Sequence, residues 1–494
     1  MSNVGVLAQP SRMLYEQTPL YKMSGNLSKI DTVTRYSSFL DGKEILEFDD
    51  FMNLVQLEGL LALVANNAQR YAEAGRDAAS GIYDPFLYSA LESKSFQDKN
   101  YFNIGDAELR QFTPFGAEFK AGLEHNTGVF VNPQNNVPLG GLGYLGVEMP
   151  LLNGLLTDER RNELDLAENF EEQSSFDRQS QLNNLGLSAA ESYWEWWRTK
   201  EYLRTLDTAI KSSSSLFLLT SLSFRVGSKP AMDTLLSLNQ VLTFKNIFAN
   251  AYGAYVGASN RAALFADNDI IALQNPVSYL LDYIIENPDR LQLALFNILS
   301  DSISLNNPEV RLSDYKIRGL EIERELKEQK LLPKLNAKYN LLAEEFNYGN
   351  EADKVDNLFT ESIKWGFKFE YPLFITQARN ELEQNTIKIE TAEAQRNFKL
   401  ESIRRKLDTY NAEINSILLQ IQYYQAYSNN YEELVRLERL KYSLGDGDLF
   451  QINYIQLKYI EAKLSLIDYK AKLIMKLAGY TNNLGRYSIE EIVE

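Results

Sequence analysis

With 494 residues, 67 acidic against 50 basic side chains and a net charge of −17, the chain lacks the clustered Lys and Arg that phosphate backbones require, which excludes nucleic acid as a partner. The absence of cysteine rules out disulfides, thiolate metal sites, thiol nucleophiles and lipidation on an N-terminal sulfur, while the single histidine, His125, reads as a polar strand or loop residue between Glu124 and Asn126. No run of 18 apolar residues is present, so a spanning helix is excluded, but β-strands that cross a membrane need only about 9–11 alternating residues.

In chain order, residues 1–47 are polar and Ser-rich and read as an extended arm. Met1-Ser2-Asn3-Val4-Gly5 has no basic segment followed by an apolar core, so no secretion leader is expected in the numbered chain; a removed leader and a cytoplasmic location both stay open. A first repeat is expected over 48–280, with strands at about 84–98 and 139–150, an insert over 99–138, and helices at about 157–225 and 230–262. A second repeat follows over 281–494, with strands at about 333–346 and 362–372 and helices at about 377–443 and 449–479.

The duplication is legible in the motifs. Val147-Glu148-Met149-Pro150-Leu151 and Phe369-Glu370-Tyr371-Pro372-Leu373 each close an alternating run and lead into a long helix. Each helix breaks at a glycine turn, Val226-Gly227-Ser228-Lys229-Pro230 or Leu444-Gly445-Asp446-Gly447-Asp448. Pro150 and Pro372 therefore mark equivalent strand-to-helix junctions, and Gly227 and Gly445 equivalent helical tips.

The strands show period-two alternation. Ile363, Trp365, Phe367, Phe369 and Tyr371 alternate with Lys364, Gly366, Lys368 and Glu370, which puts one face against hydrocarbon or core and the other against water. Leu335, Ala337, Tyr339 and Leu341 form a partner strand, joined through the loop around Tyr348 to Asp353. In the insert, Phe115, Ala117, Phe119, Ala121 and Leu123 alternate with Gly116, Glu118, Lys120, Gly122 and Glu124, so an added hairpin is expected to decorate the loop. That gives four principal strands, or six. Four strands cannot close a barrel, and open edges in lipid leave unsatisfied backbone groups, so a spanning sheet must assemble with copies of itself.

The helices carry heptads. Leu400, Leu407, Ile414, Ile421 and Val435 hold one position, interrupted by Ser428, and Ile403, Tyr410, Ile417, Tyr424 and Tyr431 hold the other. The pattern resumes at Ile452, Ile455, Tyr459, Ala462, Leu466, Tyr469 and Leu473, predicting an antiparallel coiled-coil hairpin. In the first repeat Leu182, Ala189, Trp196, Leu203, Ile210 and Phe217 share one position, with Leu185 and Leu206 on the other. Ser192, Thr199 and Ser213 fill its gaps, which predicts a face only partly buried within one chain. No nucleophile, base and oxyanion arrangement and no phosphate-binding glycine loop is present, so neither an enzyme nor a cofactor is expected.

Several signals in fixed order make the chain resemble the TolC-like outer-membrane efflux proteins over roughly residues 48–481. They are Asn307-Pro308-Glu309 opening a helix, Leu331-Leu332-Pro333-Lys334-Leu335 opening a strand, Tyr371-Pro372-Leu373-Phe374 closing one, and Tyr442-Ser443-Leu444-Gly445 at a tip. Asn153-Gly154, Asp158-Glu159-Arg160-Arg161 and Ala190-Glu191-Ser192-Tyr193-Trp194-Glu195-Trp196 are similar to a subgroup with a long first-half loop. The resemblance implies an α+β membrane protein: a homotrimer with a twelve-stranded β-barrel in outer-membrane lipid, continued by an α-helical barrel through the periplasm. It also implies an exit duct for tripartite efflux or type I secretion, docking by its tips to a periplasmic adaptor and through that to an inner-membrane transporter.

Among entrance residues, an acidic position of the resemblance falls on Asp233, and the positions of an aspartate ring fall on Gln451 and Tyr454. This departure weakens the case for a charge-ring gate. Asp446 and Asp448 supply acidity at the turn itself, as pore residues or as turn formers. A soluble coiled-coil scaffold or filament protein is the competing reading.

Overall fold

A computed structural model describes residues 44–138, 140–266, 274–277, 279–288, 290–291, 307–344 and 362–485. The loop around Tyr348 to Asp353 and most of the expected arm lie outside these residues. The elements are β1 (Glu44–Leu46), α1 (Phe48–Glu58), α2 (Leu60–Ser80), β2 (Phe86–Phe96), β3 (Lys99–Phe112), β4 (Glu118–Thr127), β5 (Leu142–Pro150), α3 (Glu159–Arg225), α4 (Ala231–Ala262), β6 (Gln274–Pro276), α5 (Tyr279–Glu286), α6 (Pro308–Gln329), β7 (Lys334–Glu344), β8 (Ser362–Glu370), α7 (Thr376–Ser443) and α8 (Leu449–Leu484). They divide into two compact units, each drawing on both sequence repeats.

One unit, built from Ala65–Gln179 and Pro308–Glu401, contains a six-stranded antiparallel sheet in the order β2-β3-β4-β5-β7-β8. The insert over 99–138 does not decorate a loop. It supplies β3 and β4, which stand inside the sheet between β2 and β5, so the two strands assigned to the first repeat do not pair with each other. Tight turns make this possible. Gln97 and Asp98 form a two-residue hairpin loop with φ of 52° and 54°, the left-handed geometry that matches strand twist. Between β3 and β4 the chain reverses through Thr113 to Ala117, with Gly116 at φ 89°. The alternation starting at Phe115 therefore begins inside a turn, and the strand starts at Glu118.

The helices of this unit are tied to one another through polar anchors. Asn162 and Asn169 on α3 donate to the carbonyls of Ile322 and Tyr315 on α6, at 2.8 and 3.0 Å. On the α7 side, Lys399 pairs with Glu309 at 2.6 Å. A side chain at Gly319 would press on the Asn169 amide at 3.2 Å, so the glycine permits the close α3–α6 approach.

The other unit takes the described parts of Met1–Val64, Ser180–Asn307 and Ser402–Glu494. Its core is the heptad seam. Ile403, Leu407, Ile414, Ile417 and Ile421 on α7 are buried, as are Ile452, Ile455, Ala462, Leu466 and Leu473 on α8. At Gly479 the Tyr410 hydroxyl lies 2.7 Å from where a Cβ would stand, which fixes the spacing of these two helices. The polar gaps in the α3 seam depart from expectation. Ser192, Thr199 and Ser213 are buried, because each hydroxyl donates to a carbonyl of its own helix: Ala189 at 2.8 Å, Glu195 at 3.0 Å and Ile210 at 3.1 Å. A satisfied hydroxyl costs little to bury.

The arm also needs correction at its end. Residues 44–46 form β1, paired in parallel with β6 from Glu44↔Gln274 to Leu46↔Pro276. An aromatic cluster joins Phe48 and Phe51 of α1 to Tyr193 and Trp194 of α3, with ring centroids 5.3–5.5 Å apart.

Candidate functional site

Two surfaces carry the chemistry: the two faces of the six-stranded sheet, and the paired helical tips. In the sheet, register aligns apolar residues across every strand. Phe367 stands opposite Ala337, Trp365 opposite Tyr339, Leu145 opposite Leu341, Ala121 opposite Leu145, and Leu87 opposite Leu109. These side chains project outward and are open. Trp365 and Phe367 are 66% exposed and Leu91 is 82% exposed. Leu109, Phe119, Leu145 and Tyr339 line a groove of about 390 Å³ on this face.

The opposite face is polar and crowded from β3 to β7, with Phe86, Phe102 and Ile104 as apolar exceptions on β2 and β3. Lys120 Nζ lies 2.9 Å from Glu148, Tyr144 donates to Glu108, which also pairs with Arg110, and Asn340 sits where a Gly146 side chain would otherwise stand. Glu108 and Asn340 are each only 6% exposed. Splayed apolar side chains on one side and crowded polar ones on the other are what a sheet shows when it curves with its polar face concave.

The junction at Pro150 is built in detail. Leu151 N–H donates to Leu335 at 2.7 Å, extending the ladder one bond beyond the proline. Asp158 caps α3 by accepting from Arg161 N–H at 2.9 Å, and the Arg161 guanidinium donates to the carbonyls of Leu155 and Leu156 at 2.9 Å. Pro372 lies between the end of β8 and the start of α7, ending the strand pairing without continuing into the helix.

At the tips, the two turns have the same hydrogen-bond pattern. Gly227 N–H donates to Phe224 and Ser228 N–H to Ser223, at 3.0 and 2.9 Å; Gly445 N–H donates to Tyr442 and Asp446 N–H to Lys441, both at 3.1 Å. Gly227 has φ 74° and Gly445 φ 90°, so both helices end in a left-handed glycine. Gly447 is needed for a different reason: a Cβ there would stand 2.5 Å from the Tyr442 backbone.

The tips meet each other. Lys229 Nζ lies 4.3 Å from the Tyr442 ring centre, and Asn453 donates to the Leu236 carbonyl at 3.2 Å. Leu216, Leu449 and Ile452 form a small core with Leu236 and Tyr442 packed on it. Arg439 reaches Ser212 at 2.6 Å and Gln456 at 3.3 Å, and burial pulls its guanidinium below the usual arginine range. Among the entrance residues, Asp446, Asp448, Gln451 and Tyr454 are exposed and Asp233 is half-buried. Asp448 caps α8, accepting from Phe450 N–H at 3.0 Å. Asp233 acts on Tyr442 through its charge. Leu444 and Phe450, 78% and 62% exposed, flank the second turn, and Val226 is open beside the first.

The sequence did not mark Lys229, Arg439 or Tyr144 as important. Lys229 and Tyr442 stand in the tip motifs only as neighbours of the turns, and a lysine beside Pro230 carries no signal that it will find an aromatic ring on the other tip.

No protein-family profile and no curated protein matches the chain. Solved structures do. The outer-membrane channel OprN superposes with a TM-score of 0.62 at 11% identity, covering 88% of this chain and 89% of that one. The Campylobacter jejuni CmeC outer membrane channel gives 0.60 at 13% identity, covering 90% and 89%. The outer membrane protein VceC of Vibrio cholerae gives 0.62 at 11% identity, covering 89% and 96%. The fold is that of the TolC-like outer-membrane channels.

Proposed function

We propose that this chain is the exit duct of a tripartite efflux or type I secretion system, a passive channel across the outer membrane and periplasm, with no catalytic step and no cofactor. One observation carries the reading: a sheet apolar on one face and charged on the other, whose edge strands β2 and β8 each have a single neighbour among the described residues. A solitary sheet of this kind leaves two rows of backbone groups unsatisfied in lipid, and closure with further copies satisfies them. Three copies is the number that the TolC resemblance implies. The apolar face would meet outer-membrane lipid and the polar face would line a water-filled path.

In this reading the tips point into the periplasm, and the exposed Val226, Leu444 and Phe450 around Gly227 and Gly445 offer an apolar rim to a periplasmic adaptor, which links the duct to an inner-membrane transporter. Asp233, Asp446, Gln451 and Tyr454 belong to the entrance, and Asp448 to its scaffold. The test is extraction. The protein expressed behind a secretion leader should require detergent, and native mass measurement should give about three times 56.5 kDa. Recovery as a soluble monomer would return the chain to the scaffold reading.

A further inference from the structure

The strand count departs from the arrangement that the resemblance implies, in which three chains supply four strands each. We propose that the hairpin β3–β4 is barrel wall rather than an external loop, so that each chain contributes six strands and three chains enclose an eighteen-stranded barrel with a correspondingly wider lumen. This rests on the duct reading above.

Pairing is the first argument. β3 is matched to β2 from Phe86↔Arg110 to Phe96↔Lys99, and β4 to β3 from Asn103↔Thr127 to Phe112↔Glu118. β4 is then matched to β5 from Glu118↔Glu148 to Glu124↔Leu142. Because β2 and β5 do not touch, moving the hairpin out of the wall would break the β2–β3 and β4–β5 ladders and leave new edges. An insertion of two strands also preserves alternation: β2 and β8 still run in opposite senses, so β8 of one copy can meet β2 of the next as an antiparallel pair.

The faces agree with this placement. On the outer side Leu109 and Phe119 of the hairpin share one apolar groove with Leu145 and Tyr339 of the repeat strands. A hairpin standing in water has no use for such continuity. On the inner side Tyr144 of β5 crosses over Gly122 of β4, where a Cβ would come within 2.5 Å of its ring, to reach Glu108 of β3. Lys120 of β4 likewise binds Glu148 of β5 at 2.9 Å. Polar side chains thus tie the hairpin to the repeat strands on the face that would line the lumen.

Barrel diameter grows nearly linearly with strand number. For a strand spacing of about 4.8 Å and a tilt of about 40°, eighteen strands give roughly 36 Å between opposite backbones against roughly 24 Å for twelve. The charged residues Asp106, Glu108, Lys120 and Glu124 would lie on this widened wall.

The absence of native cysteine makes a clean test possible. Single variants Leu109→Cys, Leu123→Cys and Glu124→Cys, with Phe367→Cys and Lys368→Cys as references on β8, are reconstituted in liposomes and exposed to a charged, membrane-impermeant maleimide. Positions 109, 123 and 367 should label only after detergent is added, and 124 and 368 should label in both conditions. If 367 and 368 show the contrast but 109 and 123 label freely, the hairpin lies outside the wall and the proposal falls while the duct stands. If 367 and 368 show no contrast, both readings fall. Electron microscopy of the extracted wild-type oligomer gives an independent measure: a wall about one and a half times as wide as a twelve-stranded one supports the proposal, and a twelve-strand width overturns it.

Discussion

Lys229, in the first tip turn, holds its ammonium 4.3 Å from the centre of the Tyr442 ring, which ends the helix leading into the second. The two tips are thereby joined by a contact between the repeats, and the ring also packs on Leu216, Leu449 and Ile452. A cation over a half-buried ring contributes about 0.5–1 kcal/mol, so Lys229→Met should loosen the tips by about that amount. Tyr442→Ala should cost more, about 2–4 kcal/mol, because it also empties the small core. Hydrogen exchange over 449–455 should accelerate in that order, and equal effects would show that the ring is not the shared element.

The same phenol gives a pH dependence. Burial raises Tyr442 above the ordinary 10.0, the nearby Thr220 side chain opposes the rise, and the Asp233 charge adds to it. A folded value above the unfolded one means that the neutral phenol's stabilisation is fully present below pH 10 and is lost as pH rises through the folded value. Tyr442→Phe removes a buried hydroxyl that has no hydrogen-bond partner among the described residues, so it should be at least as stable as wild type at pH 8. The gap in urea midpoint in favour of the variant should widen as pH passes 10. A gap that stays constant up to pH 11 would remove Tyr442 from the titration.

At the turns, Gly445→Val places a β-branched residue at φ 90°. Left-handed backbone costs an ordinary L-residue about 1–2 kcal/mol, and β-branching adds to that. Export and adaptor binding should fall while membrane insertion persists, with Gly445→Asn milder because asparagine tolerates this geometry. Normal export by the valine variant would separate the turn from docking.

On the sheet, Phe367→Arg should destabilise the inserted protein by about 2–4 kcal/mol, and Lys368→Gln on the other face should cost little. Unfolding from lipid vesicles measures both. Similar costs at the two positions would mean that the alternation does not mark a lipid boundary.

At the entrance, Asp233→Asn, Asp446→Asn and Asp448→Asn together should reduce cation selectivity, since carboxylates around a narrow aqueous opening concentrate cations. Asparagine caps a helix about as well as aspartate, so the start of α8 should survive the change at 448. Single-channel reversal potentials decide the matter, and an unchanged potential would leave these residues as turn formers only.

The long helices and β8 were readable because their periods are uncompromised: Ile403 to Ile421 keeps an apolar seam, and Ile363 to Phe369 keeps strict alternation. Alternation does not mark β2, expected at about 84–98, or β3, which falls within the insert. Ser89 and Ser93 occupy the outward face of β2, while Phe86, Phe102 and Ile104 occupy inward positions, so two-residue periodicity is blurred. The turn between them uses Gln97 and Asp98 in left-handed geometry without the glycine that usually announces such a hairpin. At the tips, Gly227 and Gly445 were evident as turn residues, but the Lys229–Tyr442 contact depends on tertiary approach. The buried Ser192, Thr199 and Ser213 were misjudged because sequence polarity does not show that each hydroxyl is satisfied one turn back.

The Tyr193 hydroxyl donates to the Leu46 carbonyl at 2.7 Å and accepts the Val277 amide at 3.1 Å. These partners lie 147 residues before it and 84 after it. One buried oxygen therefore sets the order of events during folding. Its site is complete only after the chain has been made through residue 277, close to the end of the first repeat, and its N-terminal segment has returned. Contacts of such separation are slow to form because loop closure must precede any gain. A newly made chain consequently carries exposed aromatic surface around Phe48, Tyr193 and Trp194 until the end of the first repeat has emerged, and this interval is when a chaperone would matter most.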